Sequence, residues 1–189
     1  FNLEDWGPLE KADGIIALGK YSPETIHQLE SYQKKIVFVD SNTLVYGHTC
    51  VMTDFETSVY QALAYLIESG HNQIGLLVGQ ETTADNRPLQ TDPRYLSFKY
   101  FLKEKELYHP DYIRVGHFSS DSGYEMMKEM IDELGDRLPS AFFMASDALA
   151  VGALRALQEA SIPVPDQVSL ISFNDTSIAK HVYPPLSTV

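Results

Sequence analysis

The 189-residue chain is poor in basic residues and in cysteine. Its 14 Lys and Arg stand against 26 Asp and Glu, which gives a formal net charge of −12. Because affinity for DNA depends largely on cations that neutralise phosphates, this balance argues against DNA binding by the chain itself and against binding to an anionic membrane. The single cysteine, Cys50, excludes an internal disulfide and fits a reducing compartment, so we expect a cytoplasmic protein.

Long apolar runs are also missing from the sequence. No stretch of about 18 apolar residues occurs, so we expect no membrane span. The opening segment, FNLEDWGPLE, lacks the basic and apolar regions of a signal peptide. The composition, 44% hydrophobic and 21% charged, is typical of a globular protein.

The common catalytic and metal-binding motifs do not occur either. There is no GxxxxGK[ST] loop, no GxGxxG fingerprint and no GxSxG nucleophile elbow. The six histidines show neither HxxxH nor HExxH spacing, so we expect no zinc site and no cofactor. The VDSNT segment at Asp40 is only distantly similar to the aspartate loop of phosphatase-like enzymes, because Asn42 stands where those enzymes carry a second acid. The sequence therefore predicts a protein that is not an enzyme.

Five short apolar runs predict the strands of the fold, at 14–19, 35–40, 73–79, 140–145 and 167–173. The runs are continuous rather than alternating, which is typical of strands buried on both faces of a parallel sheet. Segments with helical periodicity lie between them, at 23–33, 55–69, 94–106, 122–134 and 147–160. This alternation predicts an α/β fold with right-handed crossovers. The irregular segment 80–93 predicts a long loop that forms a wall of a site.

Polar residues follow most of the predicted strands. In open α/β sheets, ligands bind outside the carboxyl ends of the strands. Three of these ends combine a carboxylate with a small polar residue, in Asp40-Ser41-Asn42, Ser146-Asp147 and Asn174-Asp175. We therefore expect these side chains to lie along one edge and to line a ligand site.

Each candidate also has a purely structural interpretation. Asp147 is a suitable N-cap for a helix over 148–160, and Ser146 is a common residue before a helix. Asp40 is suited to an Asx-turn, and Asn174-Asp175 to the end of a strand. Arg94 fits a solvated position at the start of a helix. The sequence alone leaves these interpretations open.

Several segments together resemble the LacI/GalR family of transcriptional regulators. KADGIIALG and KIVFVDS are similar to two strands of that family, and VMTDFETSVYQALAYLIESGHNQIGLLVG is similar to the long block that follows. RYLSF, at 94–98, matches its arginine motif. PSAFFMASDALAVGALRALQEASIPVPDQVSLISFND, followed by PPLSTV, is similar to its most recognisable region. Order and spacing agree over nearly the whole chain, and within the family the resemblance is to galactose-operon repressors of Gram-positive bacteria.

The resemblance implies a periplasmic-binding-protein-like fold, with two Rossmann-like subdomains, parallel sheets and a ligand cleft between them. Residues 1–52 would form part of the N-terminal subdomain and residues 53–189 the C-terminal subdomain. The helix-turn-helix headpiece and the first strand of the N-terminal subdomain are absent from this sequence, so we expect a truncated chain. A missing DNA-binding headpiece agrees with the acidic charge balance.

The resemblance also assigns sugar contacts position by position. Asp40 would line the side of the N-terminal subdomain. Arg94 would donate a fork of hydrogen bonds to sugar hydroxyls. Phe118 would stack on the apolar face of the sugar.

Four further contacts follow from the same comparison. Ser146 stands where the family usually has asparagine, and Asn174 where it usually has aspartate. A serine reaches less far and an asparagine donates as well as accepts, so we expect a changed pattern of recognised hydroxyls. Asp147 and Asp175 fit the family motif and would contact the ligand or hold the edge of the site.

The function implied is a sugar-sensing effector domain of a transcriptional repressor, with a galactose-like effector. Operator DNA would bind the missing headpiece and not this chain. A homodimer is implied too, and the helix at 147–160, apolar on more than one side, would form either part of the dimer seam or simply core. Two alternatives remain: a periplasmic-type sugar-binding transport receptor of the same fold, and an enzyme with Asp40 as nucleophile or base.

Overall fold

A computed structural model describes residues 7–89 and 91–189 of the chain, and its architecture is α/β. The chain divides into two compact units. Unit 1 is Phe1–Asp54 with Thr82–Gln90, and unit 2 is Phe55–Glu81 with Thr91–Val189. The segment 82–90 therefore leaves unit 2 and returns to it.

Unit 1 contains a three-stranded parallel sheet in the order β1-β2-β3. The strands are β1 (Gly14–Leu18), β2 (Lys35–Val39) and β3 (Thr49–Val51), and helix α1 (Pro23–Glu30) joins the first two. Ser22 caps α1, because its side chain accepts a hydrogen bond from the Thr25 backbone N–H. One apolar cluster forms the core of this unit, from Ile15, Ala17, Ile26, Leu29, Ile36 and Phe38.

Unit 2 contains a five-stranded parallel sheet in the order β5-β4-β6-β7-β8. Its strands are β4 (Ile74–Gly79), β5 (Ile113–Gly116), β6 (Ala141–Met144), β7 (Ser169–Ser172) and β8 (Ser187–Thr188). Its helices are α2 (Phe55–Glu68), α3 (Pro93–Glu104), α4 (Ser120–Leu134) and α5 (Asp147–Glu159). Helix α2 packs on α3, and α4 packs on α5. The predicted α/β class with parallel strands is confirmed.

Helices α4 and α5 approach each other backbone to backbone. A Cβ atom added to Gly152 would lie 1.9 Å from the Ser120 carbonyl oxygen, and one added to Gly123 would lie 2.2 Å from the Leu149 carbonyl oxygen. Neither glycine tolerates a side chain, since backbone atoms cannot move aside. Most of the apolar surface of α5 is buried in this contact and against β6 and β7. Core packing within unit 2 therefore explains the apolar character of the helix.

The five predicted strands and five predicted helices all form, with ends shifted by a few residues. The prediction missed β3, β5 and β8, because these strands have two to four residues and include polar positions such as Arg114 and Thr188. The expected burial on both faces is correct for β4 and β6 but wrong for β1, in which Ile16 and Leu18 are exposed. Within the described residues, no helix is both long and apolar enough to span a bilayer.

Candidate ligand-binding site

Arg94 lies in the first turn of α3 and is almost completely buried. Asp92, the N-cap of this helix, accepts hydrogen bonds on Oδ1 from the Arg94 backbone N–H and from its Nε, each at 2.8 Å. The other carboxylate oxygen, Oδ2, accepts from Arg94 Nη2 at 2.6 Å. Asp92 thus starts the helix and also fixes the guanidinium through a two-point ion pair. The alternative of a solvated helix-start arginine is wrong.

Two further acceptors hold the same guanidinium. Arg94 Nη1 donates to the Ala145 carbonyl at 2.9 Å, and Nη2 donates to Glu81 Oε1 at 3.0 Å. Four of the five guanidinium N–H groups are therefore engaged by described residues. Burial lowers the pKa of Arg94, but the hydrogen bonds and charges of Asp92 and Glu81 outweigh burial and raise that pKa above its usual value. The group is a fixed cation.

Three phenylalanines surround the Arg94 guanidinium. Its Cζ lies 4.5 Å from the ring centre of Phe118, 5.2 Å from that of Phe55 and 5.8 Å from that of Phe173. These distances are within the range of cation–π attraction. Gly79, the last residue of β4, makes room for Phe118: a Cβ there would lie 2.4 Å from the ring and 2.7 Å from the Phe118 backbone nitrogen. The structure thus brings the predicted pair Arg94 and Phe118 together.

Ser146 connects the end of β6 to the start of α5. It is the N-cap of α5, since its Oγ accepts from the Leu149 backbone N–H at 3.3 Å. The interpretation of Asp147 as the N-cap is wrong, because Asp147 is already the first helical residue. The carbonyl of Ala145 accepts a hydrogen bond from the Arg94 guanidinium. Ser146 is therefore the residue that directly follows an Arg94 contact in the sequence.

Asp147 is a buried junction between three segments. Its carboxylate accepts hydrogen bonds from the Ser172 hydroxyl in β7, from the Thr188 hydroxyl in β8 and from both the backbone N–H and the hydroxyl of Thr176. Burial raises the pKa of Asp147, but the hydrogen bonds from Ser172, Thr176 and Thr188 lower it below its usual value overall. With both oxygens engaged by protein donors, Asp147 holds the edge rather than facing outward.

Asn174 and Asp175 follow β7 in a strained backbone conformation. Their φ angles are 106° and 43°, in a region that residues other than glycine seldom adopt. Backbone donation fixes them: the Asn174 N–H donates to the Val189 carbonyl, and the Asp175 N–H donates to the Thr188 hydroxyl. Asn174 is exposed, and Asp175 forms a 3.9 Å ion pair with Lys180. Strain of this kind costs roughly 1–3 kcal/mol and is concentrated at functional sites.

Asp40 belongs to unit 1, whereas the other six predicted site residues belong to unit 2. It follows β2 with a φ of 64°, and its Oδ2 accepts from Lys20 Nζ at 2.7 Å. The same Nζ also donates to the Asp40 carbonyl, so one ammonium group holds this strand end at two points. Over 7–89 and 91–189, no group of three or more His, Cys, Asp and Glu side chains is arranged to hold a metal ion.

The prediction missed four residues that shape the Arg94 environment. Asp92 stands directly before a proline at a helix start, which is a recognisable capping signal. Glu81, Phe55 and Phe173 carry no comparable signal, because they come from separate parts of the chain and meet only in the folded protein.

Residues 63–189 match the family described as periplasmic binding protein-like domain. The chain belongs to this family. It is 53% identical over 180 residues to the HTH-type transcriptional regulator GalR of Streptococcus thermophilus, covering 95% of this chain and 54% of that protein. It is 42% identical to GalR of Lacticaseibacillus casei, with the same coverage. These relatives confirm the resemblance to LacI/GalR regulators, and the chain spans about half their length.

Solved structures of the periplasmic binding protein-like fold agree with this family. The lac repressor dimer bound to operator and the anti-inducer ONPF matches with a TM-score of 0.80 and 24% identity, covering 95% of this chain and 60% of that chain. A LacI family transcriptional regulator from Lactobacillus casei with bound glucose matches with a TM-score of 0.78 and 24% identity, covering 93% and 65%. At these identities the matches establish the fold, and the predicted periplasmic-binding-protein-like fold is confirmed.

Proposed function

We propose that this chain is the sugar-sensing, effector-binding part of a transcriptional repressor that controls the use of galactose or a related sugar. Support comes from the relatives, since two are named GalR and others are named GanR and MelR, at 36% and 33% identity. A structural neighbour from Lactobacillus casei holds glucose. The relatives named here are regulators, which favours sensing over transport and over enzymatic turnover.

The observation that carries the proposal is the buried guanidinium of Arg94 beside the ring of Phe118. A sugar ring has a rim of hydroxyls and an apolar C–H face. The guanidinium N–H that has no acceptor among the described residues suits a hydroxyl, and an aromatic ring suits the apolar face. Asn174, exposed at the end of β7, adds an amide that both donates and accepts.

The charges at this edge favour a neutral sugar over a sugar phosphate. Four carboxylates belong to the strand ends of unit 2 and their loops, on Glu81, Asp92, Asp147 and Asp175. They outnumber the two cations that pair with them, Arg94 and Lys180. A phosphate would meet net negative charge and a guanidinium that two carboxylates already neutralise, so like charges would oppose its binding.

The remaining assignments belong to the same proposal. Residues 1–52 form part of an N-terminal subdomain, and 53–189 form a C-terminal subdomain apart from the segment 82–90, which groups with unit 1. Asp40 is the ligand contact contributed by the N-terminal subdomain. The protein acts as a cytoplasmic homodimer that binds operator DNA through a helix-turn-helix headpiece outside this chain. Effector binding changes operator affinity by a coupling free energy of about 1–3 kcal/mol, typical of allosteric proteins.

Thermal unfolding of the protein at its natural length, with a panel of ligands, tests this proposal. The panel contains galactose, glucose, galactose 6-phosphate and a nucleoside. A ligand at about a hundred times its Kd stabilises a protein by roughly 2.7 kcal/mol, which shifts Tm measurably. We expect galactose or another neutral sugar to raise Tm and galactose 6-phosphate to leave it unchanged. A shift with the phosphate or the nucleoside alone would overturn the neutral-sugar assignment.

A further inference from the structure

The segment 82–90, which we call the arm, is flanked in unit 2 by two carboxylates, Glu81 and Asp92, which we call its roots. Both roots bind the side chain of Arg94. The arm belongs to unit 1, while the residues before and after it belong to unit 2. Glu81 directly precedes the arm, and Asp92 lies two residues beyond its end. Both carboxylates pair with the Arg94 guanidinium, at 3.0 and 2.6 Å. Arg94 therefore holds both roots of the arm.

The arm itself is tied to unit 1. The Ala84 backbone N–H donates to the Lys20 carbonyl at 2.7 Å, and Arg87 forms a 2.8 Å ion pair with Glu24. A turn within the arm is closed by donation from the Thr83 N–H to the Arg87 carbonyl at 2.8 Å. The arm is thus a short segment with a hydrogen-bonded turn of its own and two contacts to the rest of unit 1.

The partners of Arg94 differ in how firmly they hold it. Asp92 contributes two guanidinium bonds, and its side chain is only 2% exposed. The carbonyl of Ala145 belongs to the rigid backbone at the end of β6. Glu81 contributes one bond, the longest of the set at 3.0 Å, and its side chain is 23% exposed. Because Glu81 has the most exposed side chain of these partners and the longest bond, its bond costs the least to break.

A sugar that binds Arg94 through two hydroxyls needs two guanidinium N–H groups. Among the described residues, one of the five has no acceptor, on Nη1. The second has to come from a bond that the protein gives up, and the bond to Glu81 is the weakest. Sugar and Glu81 therefore compete for N–H groups of the same guanidinium.

We propose that Glu81 is a displaceable competitor of the ligand, and that its release from Arg94 loosens the root of the arm. This inference rests on the proposed sugar-binding function and adds to it a regulatory step. Ligand occupancy in unit 2 is then reported to unit 1 through the arm. The same competition weakens sugar binding, because part of the binding free energy is used to displace the carboxylate.

Hydrogen exchange of the protein at its natural length, with and without galactose, tests the inference. Glu81→Gln keeps the shape of the side chain and removes its charge, and Glu129→Gln on the exposed face of α4 is the matched control. In the unsubstituted protein, we expect galactose to speed exchange of the Thr83 and Ala84 amides. In Glu81→Gln, whose neutral amide oxygen accepts more weakly than a carboxylate, we expect faster exchange without galactose and a Kd about two- to fivefold lower, as for weakening of a partly exposed ion pair.

Three outcomes would contradict these proposals, and each can be told apart from the others. Galactose binding with unchanged exchange at Thr83 and Ala84 would overturn the arm inference and leave the sugar site intact. An unchanged Kd in Glu81→Gln would overturn the competition. Failure of every sugar in the panel to bind would contradict the proposed function, and the competition with it.

Discussion

Asp147 accepts a hydrogen bond from Thr188 across 41 positions of the sequence, and this bond joins the first turn of α5 to the last strand of the sheet. The same carboxylate binds Ser172 and Thr176, so one buried charge fixes both sides of the loop that carries Asn174. The conformation of Asn174 therefore depends on a residue that is itself turned inward. Asp147 acts as a positioning residue for this edge.

Replacing Asp147 with asparagine is expected to lower the free energy of unfolding by about 2–4 kcal/mol, because the amide nitrogen would face hydrogen-bond donors in a buried place. Urea denaturation measures the change. Asp132→Asn, on the exposed face of α4, is the matched control and is expected to change stability by less than about 0.5 kcal/mol. Equal effects of the two substitutions would show that the junction contributes nothing specific.

The contribution of Asp147 depends on pH in a defined direction. Its pKa in the folded protein is lowered, so its stabilising effect is complete above the pKa of the unfolded chain, about 3.9. The effect is lost as pH falls below that value through the lowered folded pKa. The difference in urea midpoint between the unsubstituted protein and Asp147→Asn is thus expected to be constant from pH 5 to 7 and to shrink below about pH 4. A difference that persists unchanged at low pH would contradict the assignment.

Gly152→Ala is expected to destabilise unit 2 by about 2 kcal/mol or more, because the new methyl group would meet the Ser120 carbonyl at the α4–α5 contact. The sign is informative, since the same change on an exposed helix surface stabilises by about 1 kcal/mol. Thermal unfolding measures the effect, with Glu129→Ala on the exposed face of α4 as control. A gain in Tm for Gly152→Ala would mean that the helices are not in backbone contact.

Phe118→Leu is expected to raise the Kd for the sugar about 3- to 30-fold, because leucine keeps apolar volume but loses the aromatic face and the cation–π contact with Arg94. Calorimetric titration measures the Kd. Phe101→Leu removes a comparable ring from α3, where it packs against Tyr60, and is the matched control. An equal loss of affinity in both variants would indicate a general effect on folding rather than a stacking contact.

The strand pattern of the sheet centre was predictable from sequence, because β4 and β6 are buried along their whole length and therefore read as continuous apolar runs. β1 was predicted correctly as a strand, but its expected burial on both faces was wrong, because it is buried only at alternate residues. β8 was missed because its two residues are held by a neighbouring strand rather than by their own propensity. Long, fully buried strands leave a signal in sequence that short edge strands do not.

The candidate site was predictable in outline only. Counting residues after each strand located Ser146, Asp147 and Asn174 at one edge of unit 2, but it did not separate inward from outward roles. Whether a side chain such as Asp147 faces a ligand or the protein is decided by Thr188, which is distant in sequence. The ion pairs of Asp92 and Glu81 with Arg94 likewise form only in the folded chain.

Calorimetric titration of the protein at its natural length with galactose tests most directly whether the exposed amide of Asn174, at the end of β7, contacts a neutral sugar. The control for Asn174→Ala is Asn72→Ala. Asn72 is also exposed, but it lies before the amino end of β4, whereas Asn174 follows the carboxyl end of β7. We expect at least about a tenfold rise in Kd for Asn174→Ala, as for loss of one or two hydrogen bonds, and no change for Asn72→Ala. Unchanged galactose affinity in Asn174→Ala would contradict a contact between this amide and the sugar.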